Sequence, residues 1–146
     1  MPPILPAKDD FTAVHDSFAR QGMMQTLDAR IDLIDTGRCH ISAPVTPAVS
    51  QQHNAGHAGL TFTLGDTAAG YAALSLMPAG SEVMTAEIKI HLLRPARGDR
   101  LQARGEVIKA GRRLTVVRSD VFAITDAGEV LVAVLMGTMV PVAPAG

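Results

Sequence analysis

The fold is decided by the stretch LTFTLGDTAAGYAALSLM at residues 60–77, in which small and apolar side chains fall on every side of a helical projection. A helix that is apolar nearly all round is buried nearly all round. Small side chains such as Ala68 and Ala69 let neighbouring strands approach closely. We therefore expect residues 60–77 to form a long central helix that ends before Pro78.

The segments around this helix alternate between apolar and polar side chains, which is the pattern of half-buried strands. The clearest is VMTAEIKIHLL at residues 83–93, and the later strands are joined by short turns that contain glycine. This order predicts an α+β fold, in which the long helix is wrapped by a curved antiparallel sheet of five to six strands. The predicted strands cover residues 29–33, 39–43, 83–93, 101–108, 114–124 and 130–140.

The N-terminal part of the chain predicts one further helix. Phe11, Val14 and Phe18 recur at helical spacing, and Gly22 offers a stop. A chain of 146 residues has the length of one domain, so we expect residues 1–146 to form a single unit. No internal repeat is visible.

A sheet of this size cannot enclose an all-round apolar helix completely, so part of the cover at residues 60–77 must come from a second copy of the chain. We expect a homo-oligomer that associates through the sheet. Its minimal unit is a homodimer, and a dimer of dimers is a possible extension. The ends, residues 1–10 and 141–146, are expected to be flexible.

Composition excludes several classes of partner. With no Trp, one Tyr, four Phe and a net charge of −1, the chain lacks the stacking platforms and cationic excess that bind nucleic acid or an anionic membrane. The single cysteine, Cys39, cannot form an internal disulfide, and the first residues lack the pattern of a secretion signal. We therefore expect a cytoplasmic protein with neither nucleic acid nor membrane as partner.

Basic residues are nevertheless concentrated in one part of the chain. Residues 89–118 hold nine basic side chains against two acidic ones. Such a run is either a set of solvated strand faces and loops or a patch for a phosphate-bearing small ligand, because the forked donors of arginine suit phosphate oxygens. The sequence leaves both interpretations open.

Asp66 is the one charged residue between Ala58 and Ser81. A carboxylate among apolar side chains costs free energy unless it has partners, or its pKa rises. Two explanations remain. Asp66 is a functional carboxylate, or Gly65 breaks the helix and Asp66 caps a second helical segment.

A polar loop at residues 51–59, QQHNAGHAG, precedes the long helix. Free backbone N–H groups at a helix N-terminus bind anions and stabilise an oxyanion. His57 is a candidate for orienting substrate or assisting proton transfer, and its alternative is a loop histidine bonded to the backbone. Asp66 lies nine positions after His57, a rise of about 13.5 Å along a helix. If both serve one reaction, the site combines Asp66 of one subunit with the loop of another.

The run HNAGHAGLTFTLGDTA at residues 53–68 resembles the signature of hotdog-fold thioesterases of the phenylacetic-acid-degradation (PaaI-like) group. The matching elements are His-x-Gly at residues 57–59 and the later Asp66. Residues 83–95 and 111–115 look like later strands of the same family. The resemblance implies the hydrolysis of an acyl-CoA thioester with a small or aromatic acyl group.

The resemblance also implies a role for individual residues. Asp66 matches the catalytic carboxylate, either as nucleophile or as general base for water. Ala58 and Gly59 match positions whose backbone N–H groups polarise the thioester carbonyl. Gln51 stands where relatives carry an Asn that positions water or substrate, and Thr85 lies near a Ser or Thr beside the carboxylate. The substrate-binding candidates are His53, Asn54, Arg94, Arg97, Arg112 and Arg113, the arginines for the phosphates of coenzyme A.

This chemistry requires neither a metal nor a cofactor, since coenzyme A is part of the substrate. His53 and His57 have metal-ligand spacing only on a helix, and they lie in a glycine-containing loop without a third ligand nearby. Two other functions stay open: a non-catalytic module that binds acyl-CoA or a small acid, and a hotdog hydratase. The hydratase is less favoured because no His closely follows Asp66.

Overall fold

The structure is a computed structural model that describes residues 10–143, in which six strands form one antiparallel sheet with a long helix packed on it. The strand order is β1-β2-β4-β5-β6-β3. This confirms the α+β fold that the sequence predicts. The helices are α1 (Thr12–Ala19), α2 (Gly22–Thr26) and α3 (Ala58–Leu74), with a 3-10 turn at Pro47–Val49, and the strands are β1 (Arg30–Asp35), β2 (Arg38–Pro44), β3 (Glu82–Leu92), β4 (Arg100–Ala110), β5 (Thr115–Thr125) and β6 (Gly128–Val142).

Helix α3 lies close to the sheet because the side chains between them are small. Ala68 and Ala72 are fully buried. Opposite them, Gly105 of β4 has no side chain, and a Cβ atom there would overlap the backbone of Ala68. The small residues of the central stretch therefore permit the close approach expected of them.

One stripe of α3 is not enclosed by residues 10–143. Phe62 is 36% exposed, while Asp66 and Thr67 are half-buried on the same side of the helix. This stripe adjoins β3, the edge strand of the sheet, where Met84 is 57% exposed and Leu92 56% exposed. The apolar surface left open lies where the sheet ends.

Two helices differ from the prediction in their boundaries. Gly22 does not end the N-terminal region but begins a second short helix, α2, after α1 has closed at Ala19. The long helix, predicted at residues 60–77, is Ala58–Leu74. It begins earlier because the His57 side chain caps its first turn, and it ends earlier because Leu76 and Met77 donate their N–H groups to Ala73 and Leu74 in a tighter final turn.

The C-terminal strand is longer than predicted. Pro141 and Val142 continue β6 by pairing with Val83 and Glu82, so the expectation of a flexible segment from residue 141 is wrong for these two residues. Pairing with an edge strand supplies the partner that a terminal segment otherwise lacks. The remaining predicted ends, residues 1–9 and 144–146, lie outside the described residues.

Candidate active site

Asp66 lies in the middle of α3 and faces the edge strand β3. Thr85 of β3 donates its hydroxyl to Oδ1 of Asp66 at 2.7 Å. Helix α3 runs without a break through this residue, so the interpretation of Asp66 as the cap of a second helical segment is wrong. No cation within residues 10–143 forms an ion pair with its carboxylate.

The environment of Asp66 raises its pKa. Burial disfavours the charged carboxylate and raises the pKa, while the hydrogen bond from Thr85 opposes this in part by stabilising the charged form. Burial outweighs the hydrogen bond. A carboxylate that is half-buried, oriented by one donor and free of a counter-ion accepts a proton more readily than an exposed one.

The N-terminus of α3 presents one unused backbone donor. The Nδ1 atom of His57 accepts a hydrogen bond from the Gly59 N–H at 2.8 Å, so that N–H is already engaged. Among the described residues, nothing accepts from the N–H of Ala58, the first residue of the helix. Of the two N–H groups that the resemblance assigns to the thioester carbonyl, Ala58 therefore offers the available one.

The position of His57 makes it a helix cap. Because its Nδ1 accepts a hydrogen bond, Nδ1 carries no proton and the ring proton is on Nε2. We predict that His57→Ala lowers the free energy of unfolding by about 1 kcal/mol, while His57→Asn, whose side chain also caps helices, retains most of it. Urea denaturation of both variants measures the difference. Equal losses in the two variants would contradict the capping role.

Gln51 shapes the loop that leads to this helix. Its Oε1 atom accepts a hydrogen bond from the His53 N–H, and the loop turns at Asn54, whose φ is 60°. His53 and Asn54 are exposed, whereas Gln51 is half-buried. Gln51 and Ala58 line one cavity of about 400 Å³, here called the loop cavity, together with Arg94.

Asp66 and Thr85 line a different cavity of about 630 Å³, between α1, α3 and β3, here called the helix cavity. Among the described residues the two cavities share no lining side chain. From Ala58 to Asp66 the helix rises about 12 Å. Within one chain, the Asp66 carboxylate and the free N–H of Ala58 are therefore farther apart than a hydrogen bond can bridge, as the sequence predicts.

The four candidate arginines do not form one patch within a chain. Arg94 and Arg97 lie in the loop before β4, and Arg112 and Arg113 lie in the hairpin after it. The eleven residues of β4 span about 33 Å between these two loops. Arg94 is near the N-terminus of α3, where it lines the loop cavity and donates Nη1 to the Leu131 carbonyl at 2.9 Å.

Strand register places the other pair near Asp66. Thr85 pairs with Met139, and Met139 pairs with Thr115, the first residue after the hairpin that carries Arg112 and Arg113. The hairpin is therefore two strands away from Thr85, at the same end of the sheet. Each end of the sheet therefore carries one half of the predicted site and one pair of arginines.

Sequence reasoning missed Ser17 and Gln21, which line the helix cavity beside Tyr71. The available signal was a polar residue beside the apolar stripe of α1, because Ser17 lies one helical turn after Val14 on the same side of the helix. Tyr71 lines the helix cavity, while Phe62 and Met84 line neither cavity.

Residues 10–143 contain neither a cluster of metal ligands nor a helix suited to cross a membrane. No group of three His, Cys, Asp or Glu side chains has the arrangement of a metal site. His53 lies in the loop and His57 at the helix cap, so the two do not share a helical face. Within the same residues, no helix is both long enough and apolar enough to cross a bilayer.

The chain is similar to known proteins both in sequence and in fold. The family model described as "Thioesterase superfamily" matches residues 53–129, which include Ala58, Asp66 and Thr85. A thioesterase family protein from Silicibacter pomeroyi is 44% identical, with a TM-score of 0.87 over 89% of this chain and 96% of that one. The Escherichia coli PaaI protein is 25% identical, with a TM-score of 0.80 over 90% and 92% of the two chains. A Bacillus halodurans protein crystallised with CoA is 27% identical, with a TM-score of 0.74 over 90% and 82%.

Proposed function

Because the chain belongs to the thioesterase superfamily and is a thioester hydrolase of the PaaI-like group, we propose that it hydrolyses acyl-CoA to the free acid and CoA at a site shared by two copies of the chain. The observation that carries this proposal is the half-buried carboxylate of Asp66, oriented by Thr85 and free of a counter-ion among the described residues. The acyl group is small or aromatic.

The reaction needs a group that attacks the thioester carbon and a donor for the carbonyl oxygen. Asp66 supplies the first in either of two ways. As a general base it takes a proton from water while the water oxygen bonds to the carbonyl carbon. As a nucleophile its own oxygen forms that bond, and water cleaves the resulting anhydride. In both routes the C–S bond breaks and CoA leaves as a thiolate that takes up a proton.

The donor for the carbonyl oxygen is the Ala58 N–H of a second copy. The free N–H points out of a helix N-terminus, where the helix dipole also favours the negative charge that develops on that oxygen. Gln51 and Arg94 lie beside it in the loop cavity. Gln51 positions the thioester or the attacking water there.

Association through β3 joins the two halves. In the part of the chain that the structure describes, this strand ends the sheet and leaves one row of backbone groups unpaired, which is a template for a second copy. Antiparallel pairing about the middle of β3 sets Glu82 of one copy opposite Leu92 of the other. Glu82 lines the helix cavity and Leu92 the loop cavity, so this two-fold brings the cavity of Asp66 against that of Ala58.

The same two-fold axis brings an arginine pair of one copy to the same side as an arginine pair of the other. Arg112 and Arg113 lie at the Asp66 end of one copy, and Arg94 and Arg97 lie at the Ala58 end of the other. Arginine offers several forked donors to phosphate oxygens. We assign these two pairs to the phosphates of CoA, and we expect His53 and Asn54 to contact the substrate from the exposed loop.

Thr85→Val is expected to move the acid limb of the pH–rate profile to higher pH. Activity requires ionised Asp66, so kcat/KM falls as the pH drops through the pKa of this group. Thr85 lowers that pKa by stabilising the carboxylate, and its loss leaves burial, which raises the pKa, unopposed. Initial rates across a pH series measure the limb. Thr85→Ser keeps the hydroxyl and the original limb, and an unmoved limb in Thr85→Val would contradict the assignment.

The proposed activity is tested by incubating the protein with CoA thioesters that carry short, long and aromatic acyl groups, with a thiol-trapping dye as the readout. We expect turnover of at least one thioester and loss of turnover in Asp66→Asn. Tight binding of acyl-CoA without release of thiol over hours would instead support the non-catalytic binding module.

A further inference from the structure

The helix cavity extends away from Asp66 toward the N-terminal helices. Asp66 and Thr85 lie in one part of its wall, and Ser17 and Gln21 lie in another. If Asp66 attacks the thioester, the acyl group has to lie on one side of this carboxylate and CoA on the other. The arginine pairs assigned to CoA line no part of the cavity among the described residues. The acyl group is therefore the part of the substrate that fits in the helix cavity.

Gly70 keeps this cavity open next to Asp66. It lies one helical turn beyond Asp66, on the same face of α3. A Cβ atom at Gly70 would find one neighbour, Cγ1 of Val83 at 4.0 Å, whereas at Gly65 it would lie 2.7 Å from Cδ1 of Leu135. Packing therefore explains the absence of a side chain at Gly65 but not at Gly70. A glycine inside a helix costs about 1 kcal/mol relative to alanine.

The wall farther from Asp66 is polar. The Tyr71 hydroxyl lies 3.0 Å from Oγ of Ser17 and accepts a hydrogen bond from Nε2 of Gln21 at 2.7 Å. A phenol oxygen offers one donor and two acceptor positions, so these two partners leave one position unused. Burial raises the pKa of Tyr71, which keeps its hydroxyl neutral. This wall can form one more hydrogen bond with a molecule in the cavity.

Charge restricts what that molecule can carry. Besides Asp66, the cavity wall contains the carboxylates of Asp16 and Glu82, against the guanidinium of Arg20. An acyl group with a carboxylate at its far end meets an excess of negative charge. A neutral hydrogen-bonding group, such as a hydroxyl, meets no such cost and reaches the unused position of Tyr71.

We propose that Gly70 determines the width of the acyl-binding cavity, and that the Tyr71 hydroxyl, held by Ser17 and Gln21, selects acyl groups with a neutral hydrogen-bonding group at the end distant from the thioester. The proposal rests on the function proposed above and adds to it two residues that determine specificity. Neither residue takes part in the chemical step.

The first test compares acyl-CoA substrates of increasing size in the wild type, Gly70→Ala and Gly70→Val. We expect Gly70→Val to lower kcat/KM for the bulkiest substrate of the wild type by about tenfold relative to acetyl-CoA. Gly70→Ala shifts the ratio in the same direction by less, and its melting temperature rises because alanine favours the helix. Gly22→Ala makes the same change in a helix with open space around it and leaves the ratio unchanged.

The second test uses a matched pair of substrates, an alkanoyl-CoA and the same chain with a terminal hydroxyl. The wild type prefers the hydroxylated member, and Tyr71→Phe reduces that preference about fivefold, the worth of one neutral hydrogen bond. If Tyr71→Phe does not fold, Gln21→Leu provides a second variant at a half-buried position. It removes the amide that holds the Tyr71 hydroxyl in place, and we expect it to lower the preference for the hydroxylated substrate as well.

The outcomes separate the two proposals. Turnover in the wild type with a loss in Asp66→Asn supports the proposed function. If the size ratio and the hydroxyl preference then stay unchanged in the Gly70 and Tyr71 variants, the specificity proposal alone is wrong. If the wild type cleaves no thioester of either series, the proposed function fails and the specificity proposal fails with it.

Discussion

Asp66→Asn is expected to lower kcat/KM for acyl-CoA by about 10²–10⁴-fold, the range associated with the loss of a group that transfers a proton in the transition state. Asparagine has nearly the shape of aspartate and can still accept the hydrogen bond from Thr85. It can neither take a proton from water nor form an anhydride. Steady-state release of CoA, followed with a thiol-trapping dye, measures the loss.

The same substitution is expected to preserve the fold or to stabilise it. The pKa of Asp66 is raised in the folded protein, so its ionised form is less favourable there than in the unfolded chain. Above that raised pKa the charged side chain costs stability, and the neutral asparagine removes the cost. At acidic pH, below the unfolded pKa, both states bind the proton and the difference disappears. The melting temperature of Asp66→Asn at neutral pH should therefore equal or exceed that of the wild type.

Asp126→Asn is the matched control for this variant. It makes the same chemical change in the exposed turn between β5 and β6, outside both cavities. We expect it to keep wild-type turnover. Wild-type turnover in Asp66→Asn as well would remove the carboxylate from the reaction and contradict the proposed mechanism.

Ala58→Pro is expected to lower kcat by about 10²–10³-fold, the loss measured when one oxyanion donor is removed from an enzyme. Proline lacks the backbone N–H, and at the first position of a helix it is well tolerated, since the N–H there has no helical partner. The preceding residue, His57, has φ −60° and ψ 144°, which is compatible with a following proline. The change therefore removes one donor while preserving α3.

Ala58→Ser is the control, because it adds a side-chain hydroxyl and retains the N–H. Circular dichroism and the melting temperature establish that Ala58→Pro is folded. Full turnover in a folded Ala58→Pro would show that another group polarises the thioester carbonyl.

The sequence is sufficient to predict the long helix, the antiparallel sheet and the isolated carboxylate, because each depends on a local pattern. Residues 60–77 are apolar on all sides, β3 alternates cleanly, and Asp66 interrupts a stretch that otherwise lacks charge. The resemblance to hotdog thioesterases of the PaaI-like group, first seen at residues 53–68, is confirmed by the family model and the solved structures.

Local sequence patterns do not predict features that depend on tertiary geometry. That His57 engages the Gly59 N–H depends on how the loop enters α3. The position of the Arg112 hairpin at the same end of the sheet as Thr85 depends on the pairing of β5 with β6 and of β6 with β3. Likewise, the contact of Ser17 with Tyr71 joins residues 54 positions apart.

Mixing Asp66→Asn with Ala58→Pro tests most directly whether each reaction centre draws on two chains. Each variant alone is expected to be nearly inactive. In a mixed dimer, one site combines an intact Asp66 with the intact Ala58 N–H of the other chain, while the second site carries both substitutions. Random co-assembly of equal amounts should restore about a quarter of wild-type turnover, since half of the dimers are mixed and half of their sites are intact. If co-refolded mixtures of the two variants recover no activity although mixed dimers form, both groups belong to one chain and the shared site is contradicted.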